Sequence, residues 1–249
     1  MEAIRYMVQN PKAHLWRPSL TLLVFEVLSQ NKGDCQDERF SAALNIACGV
    51  EFLHTATLVV DDMIDKSHLR RGRPSCHIQF GNDIAQLVAV QLQNLSVMCF
   101  AQNMDLVLAQ CASIEEMVSG EELDITNEDG ETSDALHQKH VLKSQMIVLA
   151  AEAGAIIAGA DGGKRKIVRE YATALGFAYQ CQDDLLDATG DEASLGKPIG
   201  QDIGKITAVS IFGERIHDVI KQHANLAKSV VCDIDVNGTL HAFTDIIIR

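Results

Sequence analysis

Two acidic motifs of the form D-D-x-x-D lie far apart in the chain and could bind divalent cations. They consist of Asp61, Asp62 and Asp65 in the first copy and Asp183, Asp184 and Asp187 in the second. Each follows an apolar run of helical character, and residues four apart on a helix share a face. Like charges at this spacing repel, and carboxylates near a helix C-terminus meet the negative end of its dipole. Proteins usually hold Mg²⁺ by one or two carboxylates together with substrate phosphates. One such motif could equally be a solvated helix end, but two with apolar flanks favour metal binding.

Basic residues follow both motifs closely. Arg70, Arg71 and Arg73 begin five residues after the first motif, and Lys197 lies ten residues after the second. Arginine can hold a phosphate with two parallel hydrogen bonds, whereas lysine acts as a point charge. Carboxylates for a metal with cations close by predict a diphosphate site. The alternative from spacing alone is a network of surface salt bridges, which contribute little to stability.

The composition predicts one helical domain spanning residues 1–249. The chain contains no linker rich in Pro, Gly or Ser, only four prolines, and 5% aromatic residues. Abundant Ala, Leu, Ile and Val then favour helices over a sandwich or barrel. The formal charge of −13 argues against nucleic acid binding. It remains compatible with phosphate substrates if Mg²⁺ bridges the two sets of anions.

The cysteines and the hydropathy indicate a cytoplasmic protein. Seven cysteines are scattered without metal-ligand spacing, which favours reduced and mostly buried thiols. The first residues lack the apolar core of a signal peptide. The most apolar stretch, residues 146–160, is short and contains Glu152, so no membrane span is expected.

Periodicity and breaker residues outline the elements that must position the motifs. Residues 19–29 could form a strand or a buried helix, and residues 66–81 and 121–134 are predicted loops. Helices are predicted at 41–65, 83–102, 104–119, 135–159, 164–187, 204–228 and 238–248. The first motif ends the first of these helices, and the second motif ends the helix at 164–187.

These segments together resemble the trans-type isoprenyl diphosphate synthases, or polyprenyl synthetases, and most closely the geranylgeranyl diphosphate synthase branch. Residues 54–62 resemble the first aspartate-rich helix of the family, and residues 69–77 and 80–81 the segment after it. Lys143 and Ser144 stand where the family has Lys-Thr, residues 176–187 match the second motif, and residues 195–198 match the following loop. The resemblance runs in order from about residue 3 to residue 215.

The resemblance implies an all-α fold, the isoprenoid synthase fold, in which antiparallel helices surround a deep cavity. The two motifs would face each other across its mouth. The implied reaction is the condensation of an allylic diphosphate with isopentenyl diphosphate, in a homodimer that uses three Mg²⁺ ions per active site. Metal charge would stabilise the leaving diphosphate, and an apolar cavity would protect the carbocation from water.

The resemblance also implies a role for individual residues. The metal ligands are Asp61, Asp62, Asp65 and Asp183, with Asp184 and Asp187. The residues that hold the allylic diphosphate are Arg70, Lys143 and Lys197, with Ser144 beside them. The residues that hold isopentenyl diphosphate are Arg71, Arg17, His54 and Lys12, and Gln180 contacts the substrate. The family's Gly-Gly-Lys-x-x-Arg-Pro stretch falls on residues 10–18, so its lysine is either Lys12 in a shifted register or is replaced by His14.

Helix geometry bears on the length of the product. Thr57 and Ala56 precede the first motif by four and five residues, a turn deeper along the helix. In the family, aromatic residues there stop chain growth early. The small residues here leave room, and a product of twenty carbons, geranylgeranyl diphosphate, is predicted.

Several departures from the family pattern keep two alternatives open. The N-terminus is shorter than usual, and Val90 removes a carboxylate from a helix expected to line the cavity. One alternative is therefore a weak or inactive paralogue that binds prenyl diphosphates or modulates a partner synthase. The other is a class I terpene cyclase, although that class normally carries a different second metal motif.

Overall fold

The computed structural model describes residues 2–29, 36–126, 133–190 and 207–248 as an almost entirely helical protein. The helices are α1 (Glu2–Val8), α2 (Trp16–Ser29), α3 (Gln36–Ile64), α4 (Cys76–Phe80), α5 (Asn82–Phe100), α6 (Met104–Thr126), α7 (Ser133–Lys143), α8 (Gln145–Ile157), α9 (Gly162–Thr189), α10 (Ala208–Phe212), α11 (Ile216–Val230) and α12 (Thr239–Ile247). Two short strands, β1 (Leu69–Arg70) and β2 (Arg73–Pro74), form an antiparallel hairpin after α3. The prediction of an all-α fold is confirmed.

Helix α8 is the centre of the core, since every residue from 145 to 156 is buried. It packs against α2, α3, α6 and α9. Gly154 permits the close approach of α2, because a Cβ at this position would lie 2.3 Å from the carbonyl oxygen of Thr21. The Thr21 hydroxyl donates to the Ala150 carbonyl at 2.8 Å, so the two helices are also joined by a buried hydrogen bond. This core fixes the helices on which the motifs lie.

Several predicted boundaries need correction. Residues 19–29 belong to helix α2, because their side chains pack into the core as one helical face. The predicted loop at 66–81 contains the hairpin and α4, and α6 extends to Thr126 into the predicted loop at 121–134. The predicted helix at 135–159 is broken at Ser144 into α7 and α8, and the chain bends by 47° between them. The two predicted C-terminal helices are observed as α10, α11 and α12 with a 3₁₀ turn at Gly213–Arg215.

One helix among the described residues, Glu38–Ile64, is long and apolar enough to cross a membrane by length and composition. In its most apolar window 61% of the residues are buried inside the protein. The pair α7 and α8 passes the same test only if the bent pair is counted as one span. Apolar core helices commonly reach such hydropathy, so this observation is weak evidence for a span.

The cysteines are more accessible than predicted. All six in the described part of the chain are free thiols, which agrees with a reduced protein. Cys76 and Cys181 are buried and Cys99 is half-buried, whereas Cys48, Cys111 and Cys232 are exposed. The expectation of mostly buried thiols is therefore wrong for half of this set. Each exposed cysteine lies on the outer face or at the end of a helix, which its position in the sequence did not reveal.

Candidate active site

A tight hairpin after α3 places the first basic cluster beside the first acidic motif. Arg71 and Gly72 link β1 to β2, and both have positive φ angles, 52° and 71°. A two-residue turn with positive φ at both positions matches the right-handed twist of a hairpin. The turn directs Arg70 back towards α3, where its Nη2 atom lies 2.8 Å from Asp61 Oδ2 and 2.6 Å from Asp62 Oδ1. The hairpin thus brings residues that are close in the sequence into direct contact.

The two carboxylates that bind Arg70 differ in burial. The Asp61 side chain is 35% exposed, whereas the Asp62 side chain is completely buried. Burial raises the pKa of Asp62 to about 6, although Arg70 opposes this shift. The Oδ1 atom of Asp62 also accepts a bond from Arg70 Nε at 2.8 Å, while its Oδ2 atom has no hydrogen-bond partner. Asp62 is therefore a buried anion with one uncompensated oxygen.

This uncompensated oxygen fits a bound cation. Hard cations such as Mg²⁺ take oxygen ligands, and a buried carboxylate oxygen without a partner has a high cost in free energy. Among the residues that the structure describes, no three carboxylate, histidine or cysteine groups converge closely enough to hold a metal alone. The donor set therefore fits an ion held by one or two carboxylates and by the oxygens of a phosphate ligand.

A second basic group lies deeper along α3. Arg17 at the start of α2 donates from Nη1 to His54 Nε2 at 3.0 Å, and its guanidinium lies 4.4 Å from the centre of the Trp16 ring. Burial and the nearby arginines lower the pKa of His54 well below its usual value. A neutral His54 accepts from Arg17, so the imidazole orients the guanidinium. The Arg17 Nε atom is buried without a partner, which leaves a donor available for an anion.

Arg71, Lys12 and Glu51 complete this basic group. Arg71 Nη2 lies 3.5 Å from Glu51 Oε1, and burial raises the pKa of Glu51. Lys12 reaches the same hairpin, because a Cβ on Gly72 would lie 2.8 Å from Lys12 Nζ. Lys12 therefore lies beside Gly72, the neighbour of Arg71, and its role in the site stays a prediction. Glu51 was missed by sequence reasoning, although its spacing of three residues from His54 places both on one helix face.

The second motif lies near the end of α9, and the charge of Asp183 acts on both basic groups. Burial alone would lower the pKa of Arg70. The carboxylates of the first motif and the more distant Asp183 outweigh this effect and raise the pKa. The charge of Asp183 acts on Arg17 in the same direction. One carboxylate of α9 therefore lies within electrostatic range of both basic groups. This arrangement supports the predicted opposition of the two motifs.

Asp184 and Asp187 have different surroundings from Asp183. Asp184 Oδ2 accepts the backbone N–H of Ala208 at 2.6 Å and lies 3.3 Å from His140 Nε2. These contacts fasten the start of α10 to α9, and the metal-binding role of Asp184 stays a prediction. Asp187 is buried at the end of α9. Sequence spacing could not separate the three aspartates, because their partners come from distant helices.

The break between α7 and α8 positions Lys143 and Ser144. Lys143 Nζ lies 3.2 Å from Glu121 Oε2. Ser144 is buried, its hydroxyl donates to the Val141 carbonyl, and a Cβ on Gly176 would lie 2.5 Å from its Cβ. These contacts give Ser144 a packing role, and its role in substrate binding stays a prediction. Lys197, with the rest of the segment 195–198, lies outside the described residues.

The positions predicted to affect product length have different environments. Ala56 belongs to a buried cluster between α3 and α5 that includes Val88 and Leu92. Thr57 is half-buried, lies one turn before Asp61, and donates to the His54 carbonyl at 2.9 Å. Thr57 therefore shares the helix face of the site, whereas Ala56 packs between helices.

Gln180 on α9 is half-buried and follows Tyr179 in the sequence. The ring centre of Tyr179 lies 5.0 Å from that of Trp16.

A cleft of about 750 Å³ opens elsewhere, between α7, α9 and α11. It is lined by Arg165, Arg169 and Phe177 on α9 and by His137 and His223 on the neighbouring helices. None of the predicted site residues line it. The cleft is therefore distinct from the site formed by the two motifs.

The fold and the site define a class of protein: an all-α bundle with two opposed aspartate motifs and two basic groups suited to diphosphates. The polyprenyl synthetase family matches residues 1–234, and the chain belongs to this family. The predicted family is thus confirmed.

The relatives span several product lengths. The chain is 33% identical to a short chain isoprenyl diphosphate synthase of Methanothermobacter thermautotrophicus over 78% of this chain and 61% of that protein. It is 30% identical to the mitochondrial geranylgeranyl pyrophosphate synthase 10 of Arabidopsis thaliana over 100% of this chain and 76% of the relative. It is 33% identical to the farnesyl diphosphate synthase of Escherichia coli over 82% of this chain and 76% of the relative. The chain thus spans less than two thirds of the Methanothermobacter protein.

Solved structures agree with the fold. A polyprenyl synthase from Caulobacter crescentus complexed with calcium and isoprenyl diphosphate has a TM-score of 0.87 at 23% identity, covering 99% of this chain and 88% of that one. A geranyltransferase from Helicobacter pylori complexed with magnesium and isoprenyl diphosphate has a TM-score of 0.85 at 23% identity, covering 98% and 85%. At this identity the likeness concerns the fold.

Proposed function

We propose that this protein condenses an allylic diphosphate with isopentenyl diphosphate to form a longer trans-prenyl diphosphate, with geranylgeranyl diphosphate as the product. The observation that carries this proposal is the position of Arg70. Its guanidinium binds two carboxylates of the first motif and lies within electrostatic range of Asp183 in the second. A cation between two opposed acidic groups marks the place where a diphosphate and its metals would bind.

The two basic groups divide the binding of two diphosphates. Arg70 binds the first acidic motif and, together with Lys143, would hold the allylic diphosphate. Arg17 binds His54 and, together with Arg71 and Lys12 of the hairpin region, would hold isopentenyl diphosphate. Because His54 is neutral, it orients Arg17 without adding charge to this group. In the reaction the allylic C–O bond breaks, the double bond of isopentenyl diphosphate forms the new C–C bond, and a proton is lost.

Magnesium is the proposed cofactor, with three ions per active site. Asp61, Asp62, Asp65 and Asp183 would supply carboxylate oxygens, and the uncompensated Oδ2 atom of Asp62 supports this assignment. When bound, Mg²⁺ neutralises the charge that develops on the leaving diphosphate. The protein residues orient both substrates and keep the allylic cation away from water.

Elongation assays test this proposal directly. Purified protein is incubated with Mg²⁺, labelled isopentenyl diphosphate and each allylic diphosphate from five to twenty carbons, and the products are sized. We expect elongation that stops at twenty carbons. Asp61→Asn should remove turnover, whereas the exposed Asp218→Asn on α11 is a matched control that should keep it.

The outcomes separate the alternatives. No elongation with any primer, but retained binding of prenyl diphosphates, would replace the synthase with a binding or modulating paralogue. A cyclic hydrocarbon formed without isopentenyl diphosphate would indicate a terpene cyclase. Products that stop at fifteen carbons or continue well beyond twenty would leave the reaction intact and refute the predicted length.

A homodimer is the proposed assembly, and exposed apolar side chains on two adjacent helices support it. These residues are each at least 60% exposed: Leu87, Val90 and Met98 on α5, and Met104 and Leu108 on α6. Contiguous apolar surface of this kind marks a protein interface. Val90 is among these exposed residues. Sedimentation analysis should show a dimer that Leu87→Glu dissociates, while Leu226→Glu on α11 does not.

A further inference from the structure

A cysteine, a histidine and an aspartate meet where α11 is connected to α12. Cys232 follows the end of α11, Asp235 lies in the connecting turn, and His241 lies in the first turn of α12. The Cys232 Sγ atom is 3.8 Å from His241 Nε2. The opposite ring nitrogen of His241, Nδ1, is 2.7 Å from Asp235 Oδ2. The three side chains thus form a continuous chain from the thiol to the carboxylate.

The carboxylate fixes the orientation of the imidazole. Asp235 Oδ2 accepts the backbone N–H of His241 at 2.9 Å as well as the ring bond. Burial alone would raise the pKa of Asp235, but these hydrogen bonds lower it below its ordinary value. An anionic Asp235 holds the proton on Nδ1 and leaves the Nε2 lone pair directed at the thiol. Its Oδ1 atom is buried without a partner, so the charge of Asp235 is compensated mainly through His241.

The solvent exposure of the three side chains increases from the carboxylate to the thiol. The Asp235 side chain is buried, His241 is one-third exposed, and Cys232 is exposed. A thiol beside a base that is oriented by a third group is the arrangement that activates a nucleophile. The orienting carboxylate is therefore shielded from solvent, whereas the sulfur is open to a reagent.

We propose that Cys232 is an activated thiol, assisted by His241 and Asp235, that undergoes exchange with disulfides and is a site of reversible modification. The thiol proton passes to His241 Nε2, and Sγ attacks one sulfur of the incoming disulfide. A new S–S bond forms as the old one breaks, and the departing thiolate takes the proton from the imidazolium. The disulfide is the oxidant, and one free thiol leaves for each mixed disulfide formed.

The charged groups around the thiol are few. On α11, Lys228 binds Asp245 of α12 at 2.7 Å, and the carbonyl of Lys228 lies 3.5 Å from Sγ as an acceptor for the thiol hydrogen. Asp233 is adjacent in the connecting turn. Tyr171 of α9 binds α12 through the Leu240 carbonyl at 3.2 Å. Since Lys228 is already paired, His241 is the group placed to accept the proton.

The chain supplies two kinds of internal control. Cys48 and Cys111 are also exposed, but neither has a hydrogen bond to a histidine or carboxylate within the described residues. Cys181 has a similar set of partners, since its Sγ atom is 3.7 Å from His140 Nδ1, and His140 Nε2 lies 3.3 Å from Asp184. Cys181 is buried, and burial raises its pKa to about 12. Cys181 therefore has the same kind of contacts as Cys232 but is not accessible to a reagent.

The test measures the rate of modification of each cysteine in the full chain. Native protein is treated with 2,2′-dithiodipyridine from pH 6 to 8, quenched with acid, and analysed by peptide mass spectrometry. We expect Cys232 to react at least about tenfold faster than Cys48 and Cys111 at pH 7, because a thiolate and not a thiol is the nucleophile. Cys181 should react slowest. Equal rates for the three exposed cysteines would overturn the proposal.

Two substitutions identify the base. His241→Gln should reduce the rate at Cys232 to that of Cys111 while leaving Cys48 and Cys111 unchanged. Asp235→Asn should lower it less, because the imidazole remains but its tautomer is no longer fixed. If His241→Gln leaves the rate at Cys232 unchanged, the activation is refuted. Slow reaction of Cys181 in each variant reports that the fold is intact, so His241→Gln decides the question even if Asp235→Asn unfolds.

Discussion

Replacement of Asp62 by asparagine should stabilise the protein while it removes activity. Asp62 is fully buried, and burial raises its pKa to about 6 from an ordinary value of 3.8. A carboxyl group with a raised pKa favours the folded state in its neutral form. Its contribution is therefore present at low pH and is lost as the pH rises from about 4 through about 6. Asparagine resembles the neutral form at every pH.

The expected magnitude follows from the size of this shift. A pKa of about 6 in place of 3.8 corresponds to about 3 kcal/mol, at about 1.36 kcal/mol for each tenfold change. The bond to Arg70 is already included, because it opposes the shift. Asp62→Asn should thus raise the free energy of unfolding by about 3 kcal/mol at pH 7.5 and by almost nothing at pH 4. Buried ion pairs commonly behave in this way, since desolvation exceeds the attraction.

The assay is urea unfolding of the wild type and the variant, with a chelator present, at half-unit steps from pH 4 to 7.5. The difference between the two proteins cancels the titration of all other groups. Asp61→Asn is the matched control, because Asp61 is partly exposed and binds the same guanidinium. The free energy of unfolding of the Asp61→Asn variant should stay within about 1 kcal/mol of the wild type. A less stable Asp62→Asn variant at pH 7.5, or a difference that does not vary with pH, would refute the reasoning.

Three further predictions concern chain length, packing and substrate binding. Thr57→Phe should shorten the product in the elongation assay because Thr57 shares the face of the first motif, whereas Ala56→Phe should mainly lower the melting temperature, at a cost of about 1–3 kcal/mol from overpacking. Unchanged product length in Thr57→Phe would remove this argument. Gly154→Ala should destabilise by a similar amount, about 1–3 kcal/mol in urea unfolding, since its Cβ meets a backbone oxygen of α2 at 2.3 Å. Gly162→Ala, with open space around it, should be neutral or stabilising. Arg17→Lys should raise the KM for isopentenyl diphosphate about tenfold with a smaller effect on the allylic substrate, because lysine cannot keep the same fork of donors; equal effects on both substrates would contradict the proposed division.

The sequence predicted the helices that carry the motifs and the basic residues near them. Local periodicity and apolar flanks were enough, since both motifs end long helices that pack into the core. These features depend on neighbours within a few residues, which a single sequence contains.

The partners of individual side chains were not predictable in the same way. Asp184 has partners from distant parts of the chain, the backbone N–H of Ala208 more than twenty residues later and the imidazole of His140. Ser144 became a packing residue because Gly176 of α9 approaches it closely. Such choices are made by tertiary packing, and the alternation of residue types along one segment does not encode them.

Arg70 has a consequence for the order in which ligands enter the site. Its single positive charge is already shared by two carboxylates of the first motif. A free divalent ion at these carboxylates would compete with the guanidinium for their negative charge. An ion that arrives together with a diphosphate brings a replacement anion for Arg70, so both exchanges occur in one event. Metal and allylic diphosphate are therefore expected to enter as one complex, and titration with Mg²⁺ alone should give weak binding.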